Sequence, residues 1–162
     1  METDCYHSHS EDETHSFGKQ FAELLAKGDI VALYGDLGAG KTEFVKGVCD
    51  YFQVEDIVSS PTFTIMNQYF GFESNGEEIT IYHVDLYRIN SVKELEEIGF
   101  DDCMFSHDAV KFVEWSEKAG DMLPKIHWTV SITFNPDNDN ERTITISHPD
   151  KVASGSLAEV DS

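Results

Sequence analysis

Apolar positions recur at two periods along the chain, and the switches between them lay out its elements. Phe17, Phe21, Leu24 and Leu25 fall three to four apart, the spacing of one helix face. Thr14 is the candidate cap that starts this helix and Gly28 the candidate end. Ile30 to Tyr34 is a short apolar run, as expected of a strand covered on both faces. A glycine-rich loop follows, and helical spacing resumes over Phe44, Val45, Val48 and Tyr51. Residues 62–70 and 79–86 read as strands joined through the hairpin signal Ser74-Asn75-Gly76. On the second of them Ile79, Ile81, His83 and Asp85 share one face. Val92 to Phe100 reads as a short acidic helix and turn, and Ala109 to Val113 as another buried strand. Ile126, Trp128, Val130, Ile132 and Phe134 alternate, as do Ile144 and Ile146, with a turn over Asn135 to Asn140. A strand–loop–helix opening and a closing β-meander predict a three-layer α/β domain with a mixed parallel/antiparallel sheet.

The pattern places one body over residues 14–148 between two flexible tails. Residues 1–13 hold five acids and two histidines, and residues 149–162 are small and polar, the usual makeup of poorly ordered ends. No internal repeat is present. With 162 residues, 40% of them hydrophobic, the chain has enough apolar material for one core, which excludes global disorder. The absence of a run of about 18 apolar residues excludes a membrane-spanning helix. Met1 to Ser16 has neither the apolar stretch of a secretion signal nor the arginines of a transit peptide, so the expected location is the cytoplasm. Cys5, Cys49 and Cys103 are odd in number and far apart, which fits reduced thiols rather than a disulfide framework.

Charge narrows the partners. Lys and Arg total 11 against 31 Asp and Glu, a net charge of −20, and Arg88 and Arg142 are the only arginines. Such a chain repels phosphate backbones and anionic lipid and makes a poor primary binder of nucleic acid or membrane.

One segment nonetheless reads as a phosphate site. Gly35-Asp36-Leu37-Gly38-Ala39-Gly40-Lys41-Thr42 fits G-x-x-x-x-G-K-[ST], follows a strand pattern and opens a helix pattern. A chance match over this length has a frequency of about half a percent, so an accidental glycine-rich turn is the weaker reading. Glycines let backbone N–H groups curl toward phosphate oxygens, and the helix N-terminus adds partial positive charge. Lys41 would reach the β- and γ-phosphates, and Thr42 would offer its hydroxyl to Mg²⁺. At −20 the chain disfavours a nucleotide at long range, so binding must come from this local nest of donors. A P-loop also needs carboxylates for the metal and for positioning the attacking group. Asp85 and Glu114 stand where two strand patterns end, the place where ligands bind in open α/β sheets.

Three further segments follow the P-loop in order: Ser60-Pro61-Thr62-Phe63-Thr64, His83-Val84-Asp85-Leu86-Tyr87-Arg88 and Glu114-Trp115-Ser116-Glu117-Lys118. With the P-loop they resemble the bacterial TsaE family, ATPases of tRNA threonylcarbamoyladenosine biosynthesis, over roughly residues 14–148. The resemblance implies a P-loop NTPase-like domain and an ATPase that uses ATP and Mg²⁺ and works with TsaB and TsaD. Those two proteins modify adenosine 37 of tRNAs reading codons that start with A. The TsaE-type ATPase supports turnover and meets tRNA only through the complex. By the same resemblance Lys41 and Thr42 take the phosphate and metal roles, and Glu114 is the second carboxylate on the Mg²⁺ side. Asp85 holds the metal or orients water, Thr62 lies in a nucleotide-sensing segment, and Trp115 sits beside the site.

From the residues alone several of these positions stay open. Ser59 to Thr64 also reads as a strand entrance with turn chemistry. His83 reads as a core histidine or a base, and Trp115 as a core or rim aromatic. Arg88 would reach a phosphate or pair with acids such as Glu94. The first helix and Arg142 are candidates for base or phosphate contacts. The acids from Glu94 to Asp102 read as a solvated face or a match for a partner's basic patch, and Cys5, His7, His9 and His15 lack paired metal-ligand spacing. With so few arginines, hydrolysis by the lone chain is expected to be slow. Two other readings remain: a P-loop small-molecule kinase, which usually needs lid arginines, and a nucleotide-gated interaction module without essential hydrolysis.

Overall fold

The computed structural model describes residues 2–36 and 38–149. In chain order its elements are β1 (Glu2–Ser8), α1 (Glu11–Ala22), β2 (Ile30–Tyr34), α2 (Lys41–Tyr51), β3 (Met66–Phe72), β4 (Glu78–Asp85), α3 (Val92–Glu97), α4 (Phe100–Met104), β5 (Ala109–Glu114), a 3₁₀ segment (Ser116–Met122), β6 (Trp128–Asn135) and β7 (Asn138–His148). The strands form one sheet in the order β1-β7-β6-β2-β5-β4-β3. β6, β2, β5 and β4 pair in parallel. β3 closes one side antiparallel, and β7 and β1 close the other.

The central strands are apolar because both of their faces are covered. β5 is buried at all six positions and β2 at its first four. One face is covered by α1 and α2, whose Phe17, Phe21, Phe44 and Val48 join Val31, Ile81, Phe112 and Trp128 in one cluster. On the other, Leu95, Phe100 and Met104 of α3 and α4 meet Val84, Leu86 and Val113. Trp128 meets Phe21 edge-on at 5.0 Å, a favoured ring geometry. α1 and α2 cross closely through glycine: a Cβ on Gly18 would lie 2.1 Å from the Phe44 carbonyl oxygen, and one on Gly47 2.0 Å from that of His15.

Several boundaries differ from the sequence pattern. Residues 2–8, expected within a flexible tail, form edge strand β1, paired in register with β7 from Glu2↔His148 to Ser8↔Arg142. Its hydrogen-bonding partner is backbone, so it needs few apolar side chains; of residues 3–8, Tyr6 and Ser8 are the buried ones. The cap of α1 is Ser10, whose hydroxyl accepts from the Glu13 N–H, rather than Thr14. Thr14 is buried inside the helix, its hydroxyl 2.7 Å from that of Ser8. α1 ends at Ala22, earlier than Gly28. β3 starts at Met66, because Pro61 to Thr64 turn and the Ile65 N–H donates to the Pro61 carbonyl at 2.7 Å. Of the expected tail at 149–162, all but Pro149 lies outside the described residues. His15 bridges the two covering helices, 2.6 Å from Asp50 and 3.3 Å from Glu43. No helix among the described residues is long and apolar enough to cross a membrane.

Candidate functional site

The loop from β2 to α2 runs over the carboxyl ends of the parallel strands. Gly40 takes φ 108°, a left-handed conformation natural to glycine, and leads into α2. α1 and α3 have serine caps whose hydroxyls accept from the first turn, whereas Gly40 offers no side-chain acceptor. The first N–H groups of α2 therefore lack a capping oxygen and suit an anion. Arg142 of β7 holds the loop from its far side. Its Nε donates to the Ala39 carbonyl at 2.8 Å and an Nη to the Gly38 carbonyl at 3.3 Å.

A cleft of about 560 Å³ opens beside this loop. Sheet register brings the two strand-end carboxylates to it, since Asp85 of β4 pairs directly with Glu114 of β5. Both are 4% exposed. Glu114 Oε1 lies 2.8 Å from Lys41 Nζ, and Oε2 accepts from His83 Nε2 at 2.6 Å. Burial pushes the Glu114 carboxyl upward, but His83 and then Lys41 outweigh it and hold it below the ordinary carboxylate range. His83 is fully buried, and its other nitrogen, Nδ1, has no hydrogen-bond partner among the described residues. An unmet polar atom of that kind costs about 1–3 kcal/mol.

Asp85 receives the Tyr87 N–H at 2.9 Å and the Thr62 hydroxyl at 3.4 Å, and the Ser60 hydroxyl lies 2.8 Å from that of Thr62. Two non-glycine residues beside these groups hold left-handed backbone, Ile65 at φ 68° and Trp115 at φ 57°. Large or β-branched residues seldom do so, and each costs about 1–3 kcal/mol. Trp115 packs on Tyr87 with ring centroids 5.1 Å apart. Lys118 lies over the Tyr87 ring and donates to the Tyr87 and Ile89 carbonyls, tying the rim to the segment after β4.

The structure thus brings Asp36, Gly38, Gly40, Lys41, Thr42, Thr62, Asp85, Glu114 and Trp115 to one cleft. Ala39 is buried and takes part through its carbonyl, and Leu37 lies outside the described residues. Arg88 is exposed, is not among the residues lining the cleft and forms no ion pair with Glu94 among the described residues. Sequence reasoning missed Glu11, Glu43, Lys46, Ser60 and Tyr87 as cleft residues, although Glu43 and Lys46 follow Lys41 and Thr42 on the same helix. Five carboxylates (Glu11, Asp36, Glu43, Asp85 and Glu114) face two amines, Lys41 and Lys46, around the cleft. An anionic ligand would enter such a cleft with a divalent cation. The Thr42 hydroxyl and the carboxylates of Asp85 and Glu114 are hard oxygen donors that fit Mg²⁺ shared with phosphate.

The family model for threonylcarbamoyl adenosine biosynthesis protein TsaE matches residues 8–144. The tRNA threonylcarbamoyladenosine biosynthesis protein TsaE of Treponema pallidum (strain Nichols) is 34% identical over 137 residues, covering 85% of this chain and 96% of that protein. The protein of the same description from Bacillus subtilis (strain 168) is 37% identical over 134 residues, covering 83% and 80%. That from Haemophilus influenzae (strain ATCC 51907 / DSM 11121 / KW20 / Rd) is 40% identical over 129 residues, covering 76% and 78%. The crystal structure of Bacillus subtilis YdiB superposes with a TM-score of 0.71 at 29% identity, covering 99% of this chain and 97% of that one. The fold is accordingly the three-layer, P-loop type with a mixed sheet that the sequence pattern predicts.

Proposed function

The chain belongs to the TsaE family of tRNA threonylcarbamoyladenosine biosynthesis proteins, and from that premise we propose that it is a Mg²⁺-dependent ATPase acting on a TsaB–TsaD complex. The observation that carries the reading is the 2.8 Å contact between Lys41 and Glu114 at the mouth of the P-loop. It supports the reading because Lys41, the lysine that would bind phosphate, stands beside a carboxylate suited to a metal. On nucleotide entry Lys41 would leave Glu114 for the β- and γ-phosphates, and the uncapped N–H groups of α2 would take the remaining phosphate oxygens. The Thr42 hydroxyl and Glu114 would hold Mg²⁺, which when bound neutralises phosphate charge and orients the reacting groups. Asp85, fixed by the Tyr87 N–H, would hold the metal's water shell or orient the attacking water. Thr62, hydrogen-bonded to Asp85, would register which nucleotide is present, and Trp115 would flank the site.

No arginine lines the cleft among the described residues. Arg142 is engaged with backbone carbonyls and Arg88 stands outside. A cation that steadies charge on the transferring phosphoryl group is worth about 10³–10⁵ in rate. Hydrolysis by the lone chain is therefore slow, and the missing charge comes from the partner proteins, with tRNA reached only through them. The kinase reading is weakened by the same lack of arginine.

The test is ATP and GTP hydrolysis with Mg²⁺, with and without TsaB and TsaD. The reading requires ATP-selective hydrolysis that the partners stimulate and that Lys41→Ala abolishes. Fast turnover by the lone chain, or activity retained in the variant, refutes it. A gated interaction module draws on one observation, the exposed Phe63 beside the Thr62–Asp85 contact. It is separated from the lead by full function with a slowly hydrolysed ATP analogue.

A further inference from the structure

His83 is fully enclosed on β4, two residues before Asp85, and lies in register with Phe112 of β5. Its Nε2 is 2.6 Å from Glu114 Oε2, while Glu114 Oε1 is 2.8 Å from Lys41 Nζ. The two carboxylate oxygens are therefore divided, one turned into the core and one toward the P-loop. Nδ1 is buried without a partner among the described residues. An apolar residue would leave no such atom unmet, so packing alone does not favour a histidine here.

We infer that His83 is a positioning residue that holds Glu114 in one orientation, so that Oε1 stays presented to a nucleotide-bound divalent cation after Lys41 leaves for phosphate. This rests on the nucleotide reading above. While Lys41 is in place the carboxylate has two side-chain anchors among the described residues; once Lys41 moves, His83 is the one of them that remains. A glutamate whose outer oxygen has to be found afresh at each binding event holds a metal less well, because a fixed ligand has less freedom to lose.

The geometry makes the two amide substitutions unequal. His83→Gln carries an N–H near the position of Nε2, whereas His83→Asn carries one near Nδ1, where no partner waits. Fluorescent mant-ADP is titrated into the full chain, first in EDTA and then against increasing Mg²⁺, for wild type, His83→Gln, His83→Asn and His83→Leu. The expected result is unchanged metal-free binding in all four. His83→Gln keeps the wild-type Mg²⁺ response, while His83→Asn and His83→Leu need about 10–100-fold more Mg²⁺ for the same effect. The inference is overturned if His83→Asn and His83→Leu keep the wild-type Mg²⁺ response, if Asn rescues and Gln does not, or if metal-free binding falls in parallel with Mg²⁺ binding. Should His83→Leu fail to fold, the contrast between Gln and Asn still decides. A wild-type chain without any Mg²⁺-dependent gain ends the nucleotide reading and this inference with it. A wild-type gain that every variant shares ends this inference alone.

Discussion

Replacing Gly47 by alanine sets helix propensity against packing and predicts which wins. By propensity alone the change favours α2 by about 1 kcal/mol. The structure demands the opposite sign. A Cβ on Gly47 would meet the His15 carbonyl oxygen at 2.0 Å and the Lys19 backbone nitrogen at 2.9 Å. Both atoms belong to the backbone of α1, so no rotamer change relieves them. The helices must separate by more than an ångström, although the Phe21–Phe44 contact and the His15–Asp50 bond hold them together. Overpacking of this kind costs about 1–3 kcal/mol, and a backbone clash belongs at the upper end. Net of propensity, Gly47→Ala loses about 1–2 kcal/mol and its melting temperature falls by about 2–8 °C. Lys41 and Thr42 open the same helix, so its displacement reaches the P-loop, and misplacement of about 1 Å lowers hydrolysis by up to about 10²-fold. Thermal unfolding by circular dichroism and ATP hydrolysis on one preparation measure both effects. A variant that melts at or above wild type refutes the packing argument. Lowered melting with unchanged hydrolysis refutes the coupling between helix spacing and loop.

Arg142→Ala should weaken mant-ATP binding by about tenfold, the equivalent of one charge-assisted hydrogen bond to the loop, and Arg142→Lys should recover only part because an ammonium lacks the planar fork; wild-type affinity in the alanine variant would remove Arg142 as a support. Burial pushes the Cys49 and Cys103 thiols up to about 12, whereas Cys5 is exposed, so a thiol reagent at neutral pH should label Cys5 alone until denaturant is added; rapid native labelling of all three contradicts the burial. Glu114, held below the ordinary carboxylate range, contributes stability that is fully present above its unfolded pKa and is lost as pH falls through the lower folded value. Urea unfolding of wild type against Glu114→Gln should therefore show a gap that is full at neutral pH and closes in acid, and a gap that widens in acid reverses the sign of the argument.

The loop and the carboxylates were legible in the sequence because their signals are local. Glycine spacing, a following Lys-Thr and an acid after an apolar run each occupy a few consecutive positions. What remained hidden depends on register and on backbone. Nothing near His83 announces that β4 and β5 pair so as to set its ring against Glu114. β1 escaped notice because an edge strand draws its stability from the hydrogen bonds of β7, so its own residues are free to be acidic and polar. Arg142 lies far along the chain from the loop whose carbonyls it holds, and only the closing hairpin of β6 and β7 brings it there. The left-handed backbone at Ile65 and Trp115 carries no composition signal, since neither residue type favours it.

The charges around the cleft bear on how such a protein would be controlled. Five carboxylates against two amines oppose a bare nucleotide, and one of those amines, Lys41, is already paired with Glu114. On the proposed reading, binding exchanges one ion pair for another and adds a metal, so the local gain must outweigh a long-range field set by a net charge of −20. A cleft lined by an arginine of its own would turn over nucleotide whether or not a partner was present. On the proposed reading this one holds nucleotide through backbone N–H groups, Lys41 and a metal, and has no arginine in its lining among the described residues to speed phosphoryl transfer. On the same reading the exposed Tyr87 and Trp115, which line the cleft, are the side a second protein would approach to supply it. Hydrolysis would then be tied to docking, because the event that completes the site is the same event that assembles the complex.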